Sequence, residues 1–355
     1  MLPPRYRNLT NSVMPGGFGN VQKVQDTYLD RTVIFKSMQD KKNNDQLLNE
    51  IQALSKARSR HVVEIYDVIK SADGCVQGII IEYLSGEGYA DFHLNAKSDP
   101  YSFVRVMYQI ASALNDLHAC GITHRDLKLD NMKNSTAGVL KLFDFGLSAS
   151  DVDYRTKVNR GTLVYAAPEL YVPDATITPA MDIYALGVCA WSLASGVYPS
   201  ELRERPPQQS SYAPSIETAL PGLLHPEIIR VIDTCLSVDP KGRPTAEIIK
   251  KVLARHLTRG QHKGLFSQGQ QAVFELSSNK PNVTIKIGSL GMLTAKYDEL
   301  AFTVSHVAGN VYINNNAAVI GMELHESCVL TFGSPDLGPG RQWVTFTSSQ
   351  PEVIL

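Results

Sequence analysis

The sequence has no excess of either charge: 34 Lys and Arg stand against 35 Asp and Glu in 355 residues, a formal net charge of -1. It therefore lacks the electrostatic footprint of a nucleic-acid binder or of a protein drawn to a charged membrane surface. Cysteine is scarce. The five residues Cys75, Cys120, Cys189, Cys235 and Cys328 lie too far apart to form a zinc knuckle or a redox loop. An odd, scattered set reads as reduced, buried thiols in a cytosolic protein. The N-terminal MLPPRYRNLT has no apolar stretch, so no secretion signal is expected there. Long apolar runs are missing too. The nearest to one is the uncharged stretch Ile183 to Ser200, whose apolar part, IYALGVCAWSLA, has the length of a buried core helix rather than a membrane span. Neither an internal repeat nor a low-complexity tract is present. What remains is a chain with 43% hydrophobic residues, enough to build full cores. At roughly 150 residues per domain it is long enough for two or three units.

Composition changes near residue 260. Residues 261–355 carry five Lys or Arg and seven Asp or Glu, whereas the preceding 260 carry 57 charged residues. This tail alternates in short runs, VTIKI (283–287), AFTV (301–304), NVYI (310–313) and WVTF (343–346), separated by turn residues. The pattern predicts a small antiparallel β-sandwich over 261–355, joined by a polar linker at about 258–269. Residues 1–260 read differently. The first 85 or so are mainly strand-like, with one helical segment, NDQLLNEIQALSKA, in which Leu47, Ile51 and Leu54 recur at helical spacing. After residue 100 helical periods dominate, in YSFVRVMYQIASALNDLHA, AMDIYALGVCAWSLA, HPEIIRVIDTCLSV and TAEIIKKVLARHL. The expectation is an α+β fold of two lobes, a small β-rich one and a larger helical one, meeting near 84–88 with a cleft between them.

The most informative string is HRDLKLDN, His124 to Asn131. It puts a carboxylate (Asp126), an amine (Lys128) and an amide (Asn131) on one short polar loop after an apolar helix. Phosphoryl transfer needs such a set: an acceptor for the hydroxyl proton, a cation for the moving phosphoryl group and a metal ligand. Thirteen residues after Asn131 comes Asp144, in DFG after the strand-like VLKLF. Its carboxylate suits a second position on Mg²⁺.

Together these strings resemble the protein-kinase family, specifically the eukaryotic-type Ser/Thr kinases, and the resemblance covers about residues 8–257. PGGFGNV (15–21) resembles the glycine-rich loop over the ATP phosphates, which brings Gly16, Gly17, Phe18, Gly19 and Val21 to the nucleotide. VIFK (33–36) resembles the strand of the ATP-binding lysine; the resemblance implies that Lys36 holds the α- and β-phosphates and that Glu50 is its ion-pair partner. IIIEYL (79–84) resembles the hinge, with Ile81 as gatekeeper and Glu82 and Leu84 offering backbone groups to adenine. GTLVYAAPE (161–169) resembles the end of the activation segment, Asp182 the anchor of the catalytic loop and Arg243 the partner of Glu169. The implied cofactors are ATP and Mg²⁺, with Mn²⁺ as a substitute; the implied metal ligands are Asn131 and Asp144. Lys128 with Thr162 is the Ser/Thr-type pattern. Arg125 before Asp126 implies a phosphorylation switch in the activation segment, with Thr156 as first candidate and Ser148, Ser150 and Tyr154 behind it.

Three departures stand out. Met14 and Pro15 occupy the start of the glycine-rich loop, so its first glycine is lost. Ile34 replaces the usual alanine above adenine, and Lys133 takes the place of the apolar side chain below it. Weakened ATP binding is the expected consequence. In the tail, IKIG (285–288), GNVYINN (309–315) and GMELHESCVLTFG (321–333) weakly resemble the second half of a forkhead-associated (FHA) domain, a phosphothreonine reader. Ser289 stands where that family has arginine, Ser305 and His306 are adjacent, and its Asn-Gly pair appears as Gly309-Asn310. The other reading of the tail is a plain sandwich without phosphate recognition.

Three functions compete. The first is a protein Ser/Thr kinase acting on protein substrates and on itself, with a tail that binds a protein or phosphopeptide; nucleic acid and membrane are not expected partners. The second is a pseudokinase scaffold, supported only by the altered adenine slot. The third, a small-molecule kinase of the aminoglycoside type, shares the catalytic carboxylates but lacks the GT…APE segment found here.

Overall fold

The computed structural model describes residues 2–9, 14–15, 19–38, 44–72, 74–146, 163–269 and 271–354. The chain forms two compact units, Met1–Leu253 and Ala254–Ile354. The first begins with strands β1 (Tyr6–Asn8), β2 (Met14–Pro15), β3 (Gly19–Asp26) and β4 (Arg31–Met38), then helix α1 (Asn44–Lys56), then β5 (Ile65–Lys70) and β6 (Val76–Glu82). These strands make one antiparallel sheet in the order β1-β3-β4-β6-β5, with β2 beside β3.

Register divides the sheet into two faces. Val21 lies opposite Lys36 and Lys23 opposite Ile34, while Ile34 and Lys36 face Ile81 and Ile79 across the next pair. Directly opposed residues share a side, so Val21, Ile34, Lys36, Ile79 and Ile81 line one face. Val24, Val33, Ile69 and Ile80 pack with Tyr6 on the other. The β-branched run TVIF suits a strand buried on both sides. Helix α1 buries Leu47 and Leu54, and Glu50 falls on the same stripe at helical spacing, only 1% exposed.

The first strand was not legible in the sequence, and side chains explain its place. Arg5 grips Asp26 with two hydrogen bonds of 2.8 and 2.7 Å, and Tyr6 donates its hydroxyl to Asp67 at 2.9 Å. The Arg5 hydrogen bonds hold the Asp26 carboxyl down at about 2.

The helical part contains α2 (Pro100–Ala119), the short hairpin β7 (Met132–Asn134) and β8 (Leu140–Leu142), then α3 (Ala180–Ser195), α4 (Ser200–Arg203), α5 (Pro226–Cys235) and α6 (Ala246–Leu257). Asp99 caps α2 by accepting from the Ser102 N–H at 3.0 Å, with Pro100 in the first turn where no donor is needed. Helix α3 is apolar all round and is buried at every position from Met181 to Ala194 except Ser192. It is the central helix of this part, which accounts for the uncharged stretch at 183–200. Among the described residues no helix is long and apolar enough to cross a membrane. Gly196, at φ +69°, ends α3 in the left-handed conformation that glycine accepts without strain. Between β6 and α2 the Gly86 N–H bonds to the Asn134 carbonyl at 3.0 Å, so close that an added Cβ would sit 2.6 Å from that oxygen.

The second unit is built from strands: β9 (Gly264–Gln268), β10 (Gln271–Leu276), β11 (Asn282–Ile287), β12 (Gly291–Tyr297), β13 (Phe302–Gly309), β14 (Val311–Ile313), β15 (Asn316–Ala317), β16 (Ser327–Phe332) and β17 (Gln342–Ser348). Six form the sheet β10-β9-β17-β16-β14-β15 and three the sheet β11-β12-β13. Both sheets feed one core of Phe266, Leu276, Val283, Ile285, Leu293, Phe302, Leu330, Phe332 and Phe346, among others. At its centre Tyr297 stacks on Phe302 at 4.5 Å and Phe302 meets Phe346 edge-on at 5.4 Å. The expected linker at 258–269 is corrected: Gly264–Gln268 is strand β9, because Phe266 is a core residue that the polar neighbours concealed. Helix α6 spans the division between the units at Leu253 and Ala254.

Candidate active site

The site starts from one buried cation. Lys36, on β4, places its Nζ 2.8 Å from Glu50 Oε2 on α1 and 2.8 Å from Asp144 Oδ1. Burial alone would lower the Lys36 ammonium, but the Glu50 and Asp144 carboxylates outweigh it and hold its pKa above the ordinary value. Asp144 feels the same contest in reverse. Burial raises its carboxyl, and the Lys36 charge brings it below the usual range. Glu50 is pushed up by burial against the pull of Lys36. Two segments more than a hundred residues apart are thereby joined in a region where charges are weakly screened.

The catalytic-loop candidates lie after α2. Asp182, buried in the first turn of α3, accepts the His124 N–H on Oδ2 and the Arg125 N–H on Oδ1, each at 2.8 Å. His118 Nε2 lies 2.9 Å from the same Oδ2. Burial raises the Asp182 carboxyl, yet these partners bring it below the ordinary carboxylate range. The two N–H bonds hold Arg125 at φ +69°, a left-handed conformation costly for a residue with a side chain. The loop then turns back on itself. Lys128 Nζ lies 2.8 Å from Asp126 Oδ2, and the Asn131 amide donates to Asp126 Oδ2 at 3.0 Å and to its backbone carbonyl at 2.8 Å.

The donor set suits a hard divalent cation. Because Asn131 spends its amide N–H₂ on Asp126, its amide carbonyl oxygen is left as an acceptor. The Phe143 N–H bonds to the Asn131 backbone carbonyl at 3.1 Å, which brings Asp144, one residue on, beside Asn131. Asp144 itself is at φ +67°, and Phe145 is fully buried with its ring 4.7 Å from that of His124. Two oxygen ligands from one side is the pattern by which proteins hold Mg²⁺ while leaving room for phosphate and water.

Above the cleft, the sheet face with Lys36 carries Val21, Ile34 and Ile81. Glu82 and Leu84 follow at the end of β6; Leu84 is buried, and the Glu82 N–H is taken by the Glu64 carbonyl at 2.9 Å. On the hairpin below, Lys133 is half-buried directly opposite Lys141, whose ammonium reaches Glu82 at 2.7 Å. Glu82 serves Lys141 alone, and Lys133 has no acidic partner among the described residues. The backbone of Gly19 begins β3. Gly16, Gly17 and Phe18 lie outside the described residues, as do Ser148, Ser150, Tyr154, Thr156 and Thr162. Further along, Arg243 forms a bidentate pair with Glu169 at 2.7 and 2.8 Å. Sequence reasoning did not single out His118 or Lys141. Neither belongs to a short motif, and only the fold brings them to Asp182 and Glu82.

Residues 10–254 match the family model described as the protein kinase domain. The chain is similar to a serine/threonine-protein kinase drp72 of Corynebacterium efficiens, with 32% identity over 216 residues, 54% of this chain and 41% of that protein. It is also similar to the maternal embryonic leucine zipper kinase of Xenopus tropicalis, at 28% identity over 78% of this chain and 41% of that protein. Serine/threonine-protein kinase ppk11 of Schizosaccharomyces pombe is 31% identical over 70% of this chain and 80% of its own length. The chain spans about two fifths of the first two of these relatives.

Proposed function

The chain belongs to the protein kinase family, and from that premise we propose that it transfers the γ-phosphoryl group of ATP to serine and threonine hydroxyls of proteins, its own included. The observation that carries the proposal is the arrangement around Asp126. Its carboxylate is held by Lys128 and Asn131 while Asp144, the neighbour of Asn131, meets Lys36 from the other lobe. In this reading Asp126 accepts the proton of the substrate hydroxyl. Lys128 leaves Asp126 for the transferring phosphoryl group, and Lys36 holds the inner phosphates while Glu50 fixes its position. Asn131 and Asp144 hold Mg²⁺, which neutralises charge on the phosphates. Catalysis then rests on positioning and on fixed charges rather than on covalent chemistry. Val21, Ile34, Ile81, Glu82 and Leu84 make the adenine slot, and Gly16, Gly17, Phe18 and Gly19 are assigned to the nucleotide by their motif. The serine/threonine preference is supported by Lys128 and by the names of the relatives.

The proposal extends to the rest of the chain. The kinase domain occupies 1–260, ending just past α6, and the sandwich 261–355. The six-plus-three sheet arrangement and the matching strings support an FHA-like fold for the second unit that contacts a protein partner. Phosphothreonine reading lacks support there. Ser289 is in the β11–β12 turn in place of an arginine, and the Ser305 hydroxyl is spent on the Thr294 carbonyl at 3.1 Å. The scarce, scattered cysteines support a cytoplasmic setting; Cys189, Cys235 and Cys328 are buried as expected, whereas Cys75 and Cys120 are exposed. The deciding experiment incubates the purified full chain with labelled ATP, Mg²⁺ and a generic protein substrate beside an Asp126→Ala control. Label on serine or threonine that the control lacks supports the proposal, and equal labelling by both proteins refutes it.

A further inference from the structure

On the helical part of the first unit, a cavity of about 300 Å³, lined by none of the residues assigned above to transfer, opens beside the end of α5. Its lining comes from one loop, Gln208 and Tyr212 to Pro214, and from Asp233 and Leu236 to Val238 after the helix. We propose that this cavity is a docking pocket for an arginine side chain presented by a partner protein.

Charge chooses the occupant. No lysine or arginine lines the pocket, and one carboxylate, Asp233, does. Its Oδ1 accepts the Ile216 N–H at 2.8 Å, and no cation pairs with it among the described residues. Helix α5 ends at the pocket with no basic residue in its last turn, so the negative end of its dipole is uncompensated there. Arg243, the cation bonded to the carbonyls of Ser237 and Val238, is neutralised by its bidentate pair with Glu169. That residue also shows that this backbone accepts a guanidinium: Arg243, itself not a lining residue, donates to the Ser237 carbonyl at 2.8 Å and the Val238 carbonyl at 3.3 Å.

Shape selects guanidinium over ammonium. Tyr212 stands at the lip with 80% of its surface exposed, beside Ala213 and Pro214, an arrangement that gives a planar cation a flat aromatic face to stack on. The loop is rigidly held. Gln208, at φ +59° and 8% exposed, donates to the Leu236 carbonyl at 2.7 Å and the Tyr184 hydroxyl at 3.3 Å, and accepts from the Ala213 N–H at 2.8 Å. The wall is therefore formed before any partner arrives, which lowers the cost of binding. At the low end of ligand-pocket volumes, it fits one long side chain rather than a folded segment.

The test titrates the full chain with the blocked tripeptide Ac-Gly-Arg-Gly-NH₂ and follows the Tyr212 ring signals by NMR. The analogue with citrulline in place of arginine, Ac-Gly-Lys-Gly-NH₂ and spermidine are run alongside. A saturable shift is expected with the arginine peptide, at least threefold weaker binding with lysine or spermidine, and none with citrulline. Asp233→Asn, which keeps an acceptor for Ile216, should weaken arginine binding at least tenfold, as read from a second ring reporter at Tyr184. Tyr212→Ala, at an exposed position with no structural load, should weaken it severalfold by the same reporter. Equal response to citrulline or spermidine, an unchanged titration in Asp233→Asn, or no saturable shift with arginine would overturn the proposal. Phosphoryl transfer to a short peptide should be unchanged in both variants, so this test stands or falls apart from the kinase reading.

Discussion

Asp144 serves two masters in this structure, the Lys36 ammonium at 2.8 Å and the oxygen set proposed for Mg²⁺, and none of the hydrophobic core. Replacing it by alanine should therefore abolish phosphoryl transfer while the thermal transition stays cooperative; a folded Asp144→Ala protein with full activity would remove the assignment. The adenine slot makes a second prediction at the same scale. Ile34 adds bulk on the sheet face, and Lys133 puts an ammonium with no acidic partner among the described residues on the hairpin below. Filling or charging an apolar slot costs about 1–3 kcal/mol. Lys133→Leu and Ile34→Ala should each tighten ATP binding, by roughly 10- to 100-fold at the upper end, in a calorimetric titration. Unchanged affinity in both would show that the slot is not where adenine sits. At this scale the sequence was informative because the functional groups are crowded into short strings. HRDLKLDN carries three of them, and the fold needs only to turn the loop for Lys128 and Asn131 to meet Asp126. The contacts that escaped, His118 with Asp182 and Lys141 with Glu82, join single residues across 64 and 59 positions, a distance over which no local pattern speaks.

Helices were easier to read than strands. Helix α2 and helix α3 were visible as long apolar periods, whereas β1 is three residues long and β9 hides its one buried aromatic among Gly, Ser and Gln. Strand β1 is also where acid should act. The Asp26 pKa is depressed to about 2, below an unfolded value of about 3.9. A depressed carboxyl stabilises the fold above its unfolded pKa, and that contribution fades as pH falls from about 4 towards 2. Protection of the β1 amides from hydrogen exchange, referred to the intrinsic rate at each pH, should fall over that window in the parent protein and stay level in Asp26→Asn. A parent profile that is flat between pH 4 and 2 would disprove the role given to Arg5. The activation segment, 144–169, gives the other element-scale prediction. A phosphate on Thr156 adds about two negative charges and three strong acceptors, which Arg125 and Arg160 are placed in sequence to receive. Thr156→Ala should lower transfer to a protein substrate at least tenfold, with mass spectrometry showing phosphate on Thr156 of the parent. Full activity with no phosphate between Gly146 and Glu169 would end the idea.

For the whole molecule, the first unit should not need the second. A chain cut after Gly260 keeps α6 intact to Leu257, and Met1–Leu253 has a core of its own. The 1–260 protein should fold and phosphorylate a generic substrate at a rate within severalfold of the full chain. Truncation to an aggregate would mean that the strands from β9 onward are structural to the kinase part. The ion pairs fall into two classes that respond differently to dissolved salt. Lys251–Glu247 and Arg259–Glu299 stand in solvent, where a Debye length of about 3 Å in 1 M salt leaves them little attraction. Lys36–Asp144 and Lys141–Glu82 both tie the sheet to the β7–β8 region, and their lysines are only 9% exposed, out of reach of that ion atmosphere. The grip across the cleft is therefore nearly independent of ionic strength, and brine that loosens the periphery leaves the jaws set at the same gap.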